Sequence, residues 1–255
     1  MALIERTSNP ALNEKIFLQA SSLTGTEETM TIQGAVNKTL ILTFLLLCSA
    51  AVTWSMTFRL FQGGEQAGML GGLIIGSVIG GMITALVTIF KKEWSGYTAP
   101  LYALLEGLFL GAVSAFFEKI YPGIVLQAVA LTMATLLILL FIYKSGWIKV
   151  TGHFRRGIVA ATGAIALVYL VSWILYLFKV PVGFIHGNGF LGIAFSLIVV
   201  GIAALNLVLD FDLIEEGARA GAPKYMEWYA AFGLMVTLIW LYIEILKLLA
   251  KTRKR

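Results

Sequence analysis

LNLVLDFDLIEEGARAGAPKYMEWYAAFGLMVTLIWLYIEILKLL, residues 205–249, decides how the rest of the chain is read. Two hydrophobic segments meet across a short polar turn, and both carry carboxylates where a lipid-facing helix would not keep them. Asp210 and Asp212 close the first segment and Glu244 lies inside the second. An ionised carboxylate at the centre of a bilayer costs roughly 3 kcal/mol on insertion scales, so such residues usually face a bundle interior or a pathway.

Outward from this stretch, the composition is that of a membrane protein. The 255 residues are 59% hydrophobic and 13% charged, with a mean hydropathy of +0.88. Soluble domains are about 45–50% apolar and about 25% charged. A helix needs about 20 apolar residues to cross the roughly 30 Å hydrocarbon core. Seven stretches qualify, near 39–58, 68–90, 98–117, 123–143, 157–178, 189–209 and 228–249. The expected fold class is therefore all-α, a polytopic bundle of seven transmembrane helices. Residues 1–37 read as a polar, partly disordered cytoplasmic tail with a helix-favouring patch at 11–20. Residues 38–250 read as the membrane domain and residues 251–255 as a basic tail. The net charge of +5 fits topology and anionic lipid, not nucleic acid. Cys48, the single cysteine, reads as a small packed residue.

Orientation follows from Lys and Arg. Loops on the N-terminal side hold eleven, from Arg6 to Lys224, and the opposite loops hold Arg59, Lys119 and Lys179. The positive-inside rule puts the N-terminus in the cytoplasm. The C-terminal tail, with Lys251, Arg253, Lys254 and Arg255, would then lie outside, unless the last segment is re-entrant. In the second segment Gly68, Gly72, Gly76 and Gly80 recur every four residues on one helix face, the small-xxx-small pattern of close helix packing.

Catalytic and cofactor patterns do not emerge. The only Lys of the last segment, Lys247, is near its end, against a retinal Schiff base. No Gly-x-Gly-Asp pair marks an aspartyl protease, and His153 and His186 lack a spaced nucleophile or a zinc pattern. No enzyme, resident cofactor or nucleic-acid partner is expected; membrane lipids are. The acids remain. Asp212, Glu215 and Glu216 read as a helix end meeting water, whereas Asp210 is followed by Leu213 and Ile214, which continue the helical pattern. Glu106 lies between YALL and GLFLG, deep in an apolar helix. Glu244 either faces a pathway or pairs with Lys247 at i, i+3. Glu106 pairs best with Asp210 if the last segment is one continuous helix, because Glu244 then lies toward the far surface.

Four pieces carry a family likeness: APLYALLEGLFLGAVS (99–114), YPGIVLQA (121–128), IKVTGHFRRGIVAATGAIALVYL (148–170) and the DFDLIEEG…LYIEILKLL hairpin. Across residues 30–250 the chain resembles the transmembrane Bax-inhibitor-motif proteins (Bax inhibitor-1) in their bacterial branch. The resemblance implies seven helices with the last one central. It implies an acid pair on the last two helices acting as a pH-sensitive latch on a calcium leak, with H⁺ and Ca²⁺ as regulatory or permeant ions. Asp210 and Glu244 fall at the two acid positions, the second being Glu here, at a longer interval than the family pattern. The resemblance also implies membrane-protein partners, such as a quality-control protease, and the bacterial inner membrane as location. The candidate gate residues are Asp210, Glu244, Glu106 and Asp212.

Overall fold

The computed structural model describes residues 28–63, 67–178, 187 and 189–253. Seven helices among them are long and apolar enough to span a membrane. They are α1 (Ile32–Phe61), α2 (Ala67–Phe90), α3 (Ser95–Ile120, preceded by a 3-10 turn at Lys92–Trp94), α4 (Ile124–Lys144), α5 (Gly152–Leu177), α6 (Phe190–Arg219) and α7 (Met226–Arg253). The all-α, seven-span expectation holds. The expected patch at 11–20, His186, Lys179 and the last two tail residues lie outside the described residues.

Local chemistry explains where the helices depart from the apolar windows. α1 begins at Ile32 because Thr31 is an N-cap, its hydroxyl accepting the Gly34 N–H. Thr151 caps α5 in the same way through the Phe154 N–H. Each such cap contributes about 1 kcal/mol. α6 runs on past Asp210 to Arg219 and ends at Gly221. There φ is +68, and the Ala222 N–H reaches back to the Gly217 carbonyl, a glycine-terminated helix end. α7 is unbroken over its 28 residues, so the last segment is a plain span and not a re-entrant one. It is also the most deeply buried of the seven.

The chain forms two compact units. One holds Gly123–Leu213 with Val236–Arg255; the other runs up to Pro122 and includes Ile214–Met235. α6 and α7 each contribute to both.

In the second unit, α1 turns Ala35, Thr39, Leu42, Ser49, Thr53 and Thr57 inward. It meets α3 along a seam of small residues. A Cβ on Gly107 would overlap Ser49 and the Leu46 carbonyl, and one on Gly111 would overlap Thr53 and the Ala50 carbonyl. This is where small-xxx-small packing occurs. The expectation for α2 is corrected accordingly. Gly68, Gly72 and Gly76 meet no atom of the described residues within 4 Å, and Gly80 meets only Leu105. The buried face of α2 is Leu70, Ser77, Gly81, Thr84 and Thr88. Cys48, expected to be packed, is exposed.

Candidate functional site

Three helices of the first unit converge on Asp212. Arg155 of α5, itself 8% exposed, donates to Asp212 Oδ2 at 2.6 Å, and the Tyr143 hydroxyl of α4 donates to Oδ1 at 3.3 Å. Asp212 is therefore no helix end meeting water: its side chain is 17% exposed and ion-paired. An aspartate that pairs in this way holds α4, α5 and α6 together, because separating it would leave a buried guanidinium without its counter-charge. Nearly two turns back, Asn206 donates to Thr162 of α5 at 2.8 Å and to the Ile202 carbonyl. Asn206 and Asp212 thus both tie α6 to α5.

Glu244 forms a second cluster in the same unit. It is 2% exposed, accepting from the Tyr169 hydroxyl at 3.0 Å and from Lys247 Nζ at 2.9 Å. Lys247 Nζ also lies 5.2 Å above the Tyr169 ring, within cation–π range. The i, i+3 pairing with Lys247 is present, and Tyr169 makes it a three-residue group spanning α5 and α7. A turn or two farther on, Lys251 donates to the Gly192 carbonyl and to Ser196. The last turns of α7 therefore lie beside the first turns of α6. Counted from that level at 1.5 Å per residue, Glu244 is about 10 Å along and Asp210 about 20 Å. The two acids stand about two helical turns apart, and Glu244 is held by Tyr169 and Lys247.

Asp210 is 1% exposed, buried as its continuing helical pattern required. Glu106 belongs to the second unit, half-buried on α3. Its Oε2 lies 3.4 Å from where a Cβ on Gly81 would stand, so the carboxylate packs against α2 beside that glycine.

The second unit contains an acid that the sequence did not single out. Glu227, in the first turn of α7, is 0% exposed. Its Oε1 accepts from the Thr31 N–H at 3.0 Å and the Thr31 hydroxyl at 2.9 Å. Lys224 lies 3.3 Å from Oε1 and Lys38 3.9 Å from Oε2. An anion here stabilises the start of α1, because the unsatisfied N–H groups of a helix N-terminus carry partial positive charge. Residues 28–30 extend the attachment. Thr29 bridges to Pro223, the Met30 N–H donates to the Ala222 carbonyl at 2.6 Å, and Glu28 faces Lys224 at 3.7 Å. The Thr31–Glu227 contact joins residues 196 positions apart, and no local periodicity announces it. A Thr cap and a glycine at position 34 were the only visible signals.

Seven apolar helices, with acids held inside them by tyrosine, arginine and lysine, define a polytopic α-helical membrane protein. The family model described as Bax inhibitor 1 like matches residues 9–254, nearly the whole chain, and the protein belongs to that family. A search of curated proteins gives no match.

Proposed function

We propose that the protein is a pH-sensitive calcium leak of the bacterial inner membrane, with its N-terminus in the cytoplasm and its gate built on membrane-embedded carboxylates. The observation that carries this reading is Glu244, 2% exposed inside α7 and held by Tyr169 and Lys247. Protonation of Glu244 removes the charge that holds Lys247, so a proton can exchange one packing of α5 against α7 for another. Buried Asp210, in the same unit, supplies further carboxylate oxygens, the ligand type that Ca²⁺ prefers, and Glu106 is the candidate acid of the second unit. No catalytic step and no resident cofactor belong to this reading.

Reconstitution tests it. Liposomes carrying the wild-type protein and a trapped Ca²⁺ indicator should show flux that changes with a pH step. Glu244→Gln should flatten that response, and Asp210→Asn should change it as well. Retention of the full pH response by both variants would place the gate elsewhere.

A second reading is a non-conducting regulator that binds another membrane protein, such as a protease. It is favoured by one observation: Asp212 and Glu244 each have a cation of their own, Arg155 and Lys247, as structural acids do. Absence of flux at every pH would select it.

A further inference from the structure

Beside Glu227, the second unit opens a pocket of about 420 Å³ that neither the acid gate nor the packing of the helices uses. The starts of three helices border it. Lys38 lies in the second turn of α1, Gly96 in the first turn of α3, and Glu227 in the first turn of α7.

The side chains add charges of both signs. Lys38 and Lys224 stand at the mouth, their side chains 27% and 46% exposed, and Glu93 lies on the exposed rim. At the inner end Glu227 is fully buried. Its Oε2 accepts no hydrogen bond among the described residues, Lys38 remaining 3.9 Å away. A buried carboxylate oxygen of this kind is rare, because the desolvation cost is normally offset by a donor. Glu227 is among the residues that line the pocket, and movement of Lys38 away from Oε2 would let a ligand bring the donor in its place.

A bare anion bound here would sit against Glu227 and Glu93. A bare cation would sit against two lysines. A ligand with a cationic N–H donor at one end and a phosphate next to it satisfies both sets. Aromatic residues line the pocket as well, among them Tyr97 in the first turn of α3, 86% exposed, and Trp228. Trp and Tyr in such positions mark the level of lipid headgroups.

We propose that this pocket binds the phosphoethanolamine headgroup of a membrane phospholipid, its primary ammonium donating to Glu227 Oε2 and its phosphate lying between Lys38 and Lys224. The free N–H donors distinguish it from choline, whose quaternary ammonium has none to offer Oε2. Ligand entry exchanges ion pairs without changing the net charge of the site: the lysines move from Glu227 to the phosphate as the ammonium takes their place.

The test uses the full chain, delipidated in detergent, with native mass spectrometry and thermal unfolding as readouts. Dioleoyl phosphatidylethanolamine, phosphatidylcholine and phosphatidylglycerol are added separately, and soluble O-phosphoethanolamine is a fourth arm. Phosphatidylethanolamine should bind best and raise the unfolding midpoint most. Lys224→Gln, a change at a half-exposed side chain, should weaken that binding about tenfold, as expected for loss of one charge-assisted hydrogen bond. Glu227→Gln should weaken it too, but this variant also loses part of the α1 cap, so Lys224→Gln and Tyr97→Ala keep the test independent of folding. Equal binding of phosphatidylglycerol would make the site a plain anion site and overturn the proposal. Equal binding of phosphatidylcholine would remove the role of the N–H donors. Binding of soluble phosphoethanolamine as tight as that of the lipid would overturn the membrane source. Unchanged lipid binding in Lys224→Gln would place the lipid elsewhere.

Discussion

A methyl group at position 34 would overlap the Glu227 carboxylate, so a glycine early in α1 and an acid at the start of α7 constrain each other. Gly34→Ala should lower stability by about 1–3 kcal/mol, the usual cost of overpacking, read as a lower unfolding midpoint in detergent. The cost should shrink markedly in a Glu227→Ala background, because sites in direct contact are not additive. Equal costs in both backgrounds would show that the methyl group is accommodated without touching residue 227. Asp212 behaves in the opposite way to a solvated helix end. Asp212→Asn leaves Arg155 with a buried positive charge and should destabilise by up to about 3 kcal/mol. A wild-type midpoint for that variant would return Asp212 to the surface. The sequence made Asp210, Glu106 and Glu244 visible because charges stand out in apolar runs. Glu227 and Arg155 were hidden by position: each lies near a helix start, where an ionised residue needs no special explanation, and its partner is distant in sequence.

All seven helices were legible in number and place, because a span is written in twenty apolar letters and does not depend on distant contacts. Their ends were less so. Thr31 and Thr151 extend α1 and α5 into polar sequence through side-chain caps. Which face of a helix packs was the least legible feature. In the core of a water-soluble protein the buried face is the apolar one, but lipid is as apolar as a neighbouring helix, and small residues on a face then say only that packing is feasible. The sequence singled out Gly68, Gly72 and Gly76 on α2, whereas the structure packs Gly107 and Gly111 on α3. Gly111→Leu should therefore prevent the approach of α1 to α3 and abolish a cooperative unfolding transition. Gly76→Leu should be tolerated, with an unfolding midpoint close to wild type. A severe effect at Gly76 would mean that its face is covered by a partner, a second copy included.

For the molecule as a whole, the proposed side of each terminus rests on charge and on the continuity of α7. Eleven Lys and Arg on the N-terminal side against three on the other favour a cytoplasmic N-terminus. An odd number of spans then carries the C-terminus across, against the pull of a basic tail. The structure supplies a physical reason for that pull to be weak. Lys247 is paired with Glu244, Lys251 donates to the Gly192 carbonyl and Ser196, and Arg253 donates to Gln127 of α4. Cations held by the bundle are less available to anionic lipid at the cytoplasmic surface than cations on a loose tail. A phosphatase–fluorescent protein pair fused in turn to each end should report a cytoplasmic N-terminus and an external C-terminus. Replacing Ser196 by Ala and Gln127 by Ala should weaken the hold on two of the tail's cations and shift part of the population toward a cytoplasmic C-terminus. A uniformly cytoplasmic C-terminus in the wild type would require α7 to double back despite its unbroken 28 residues. An N-terminal reporter on the external side would reverse every assignment of sides, and with it the side at which the Glu227 pocket meets the membrane.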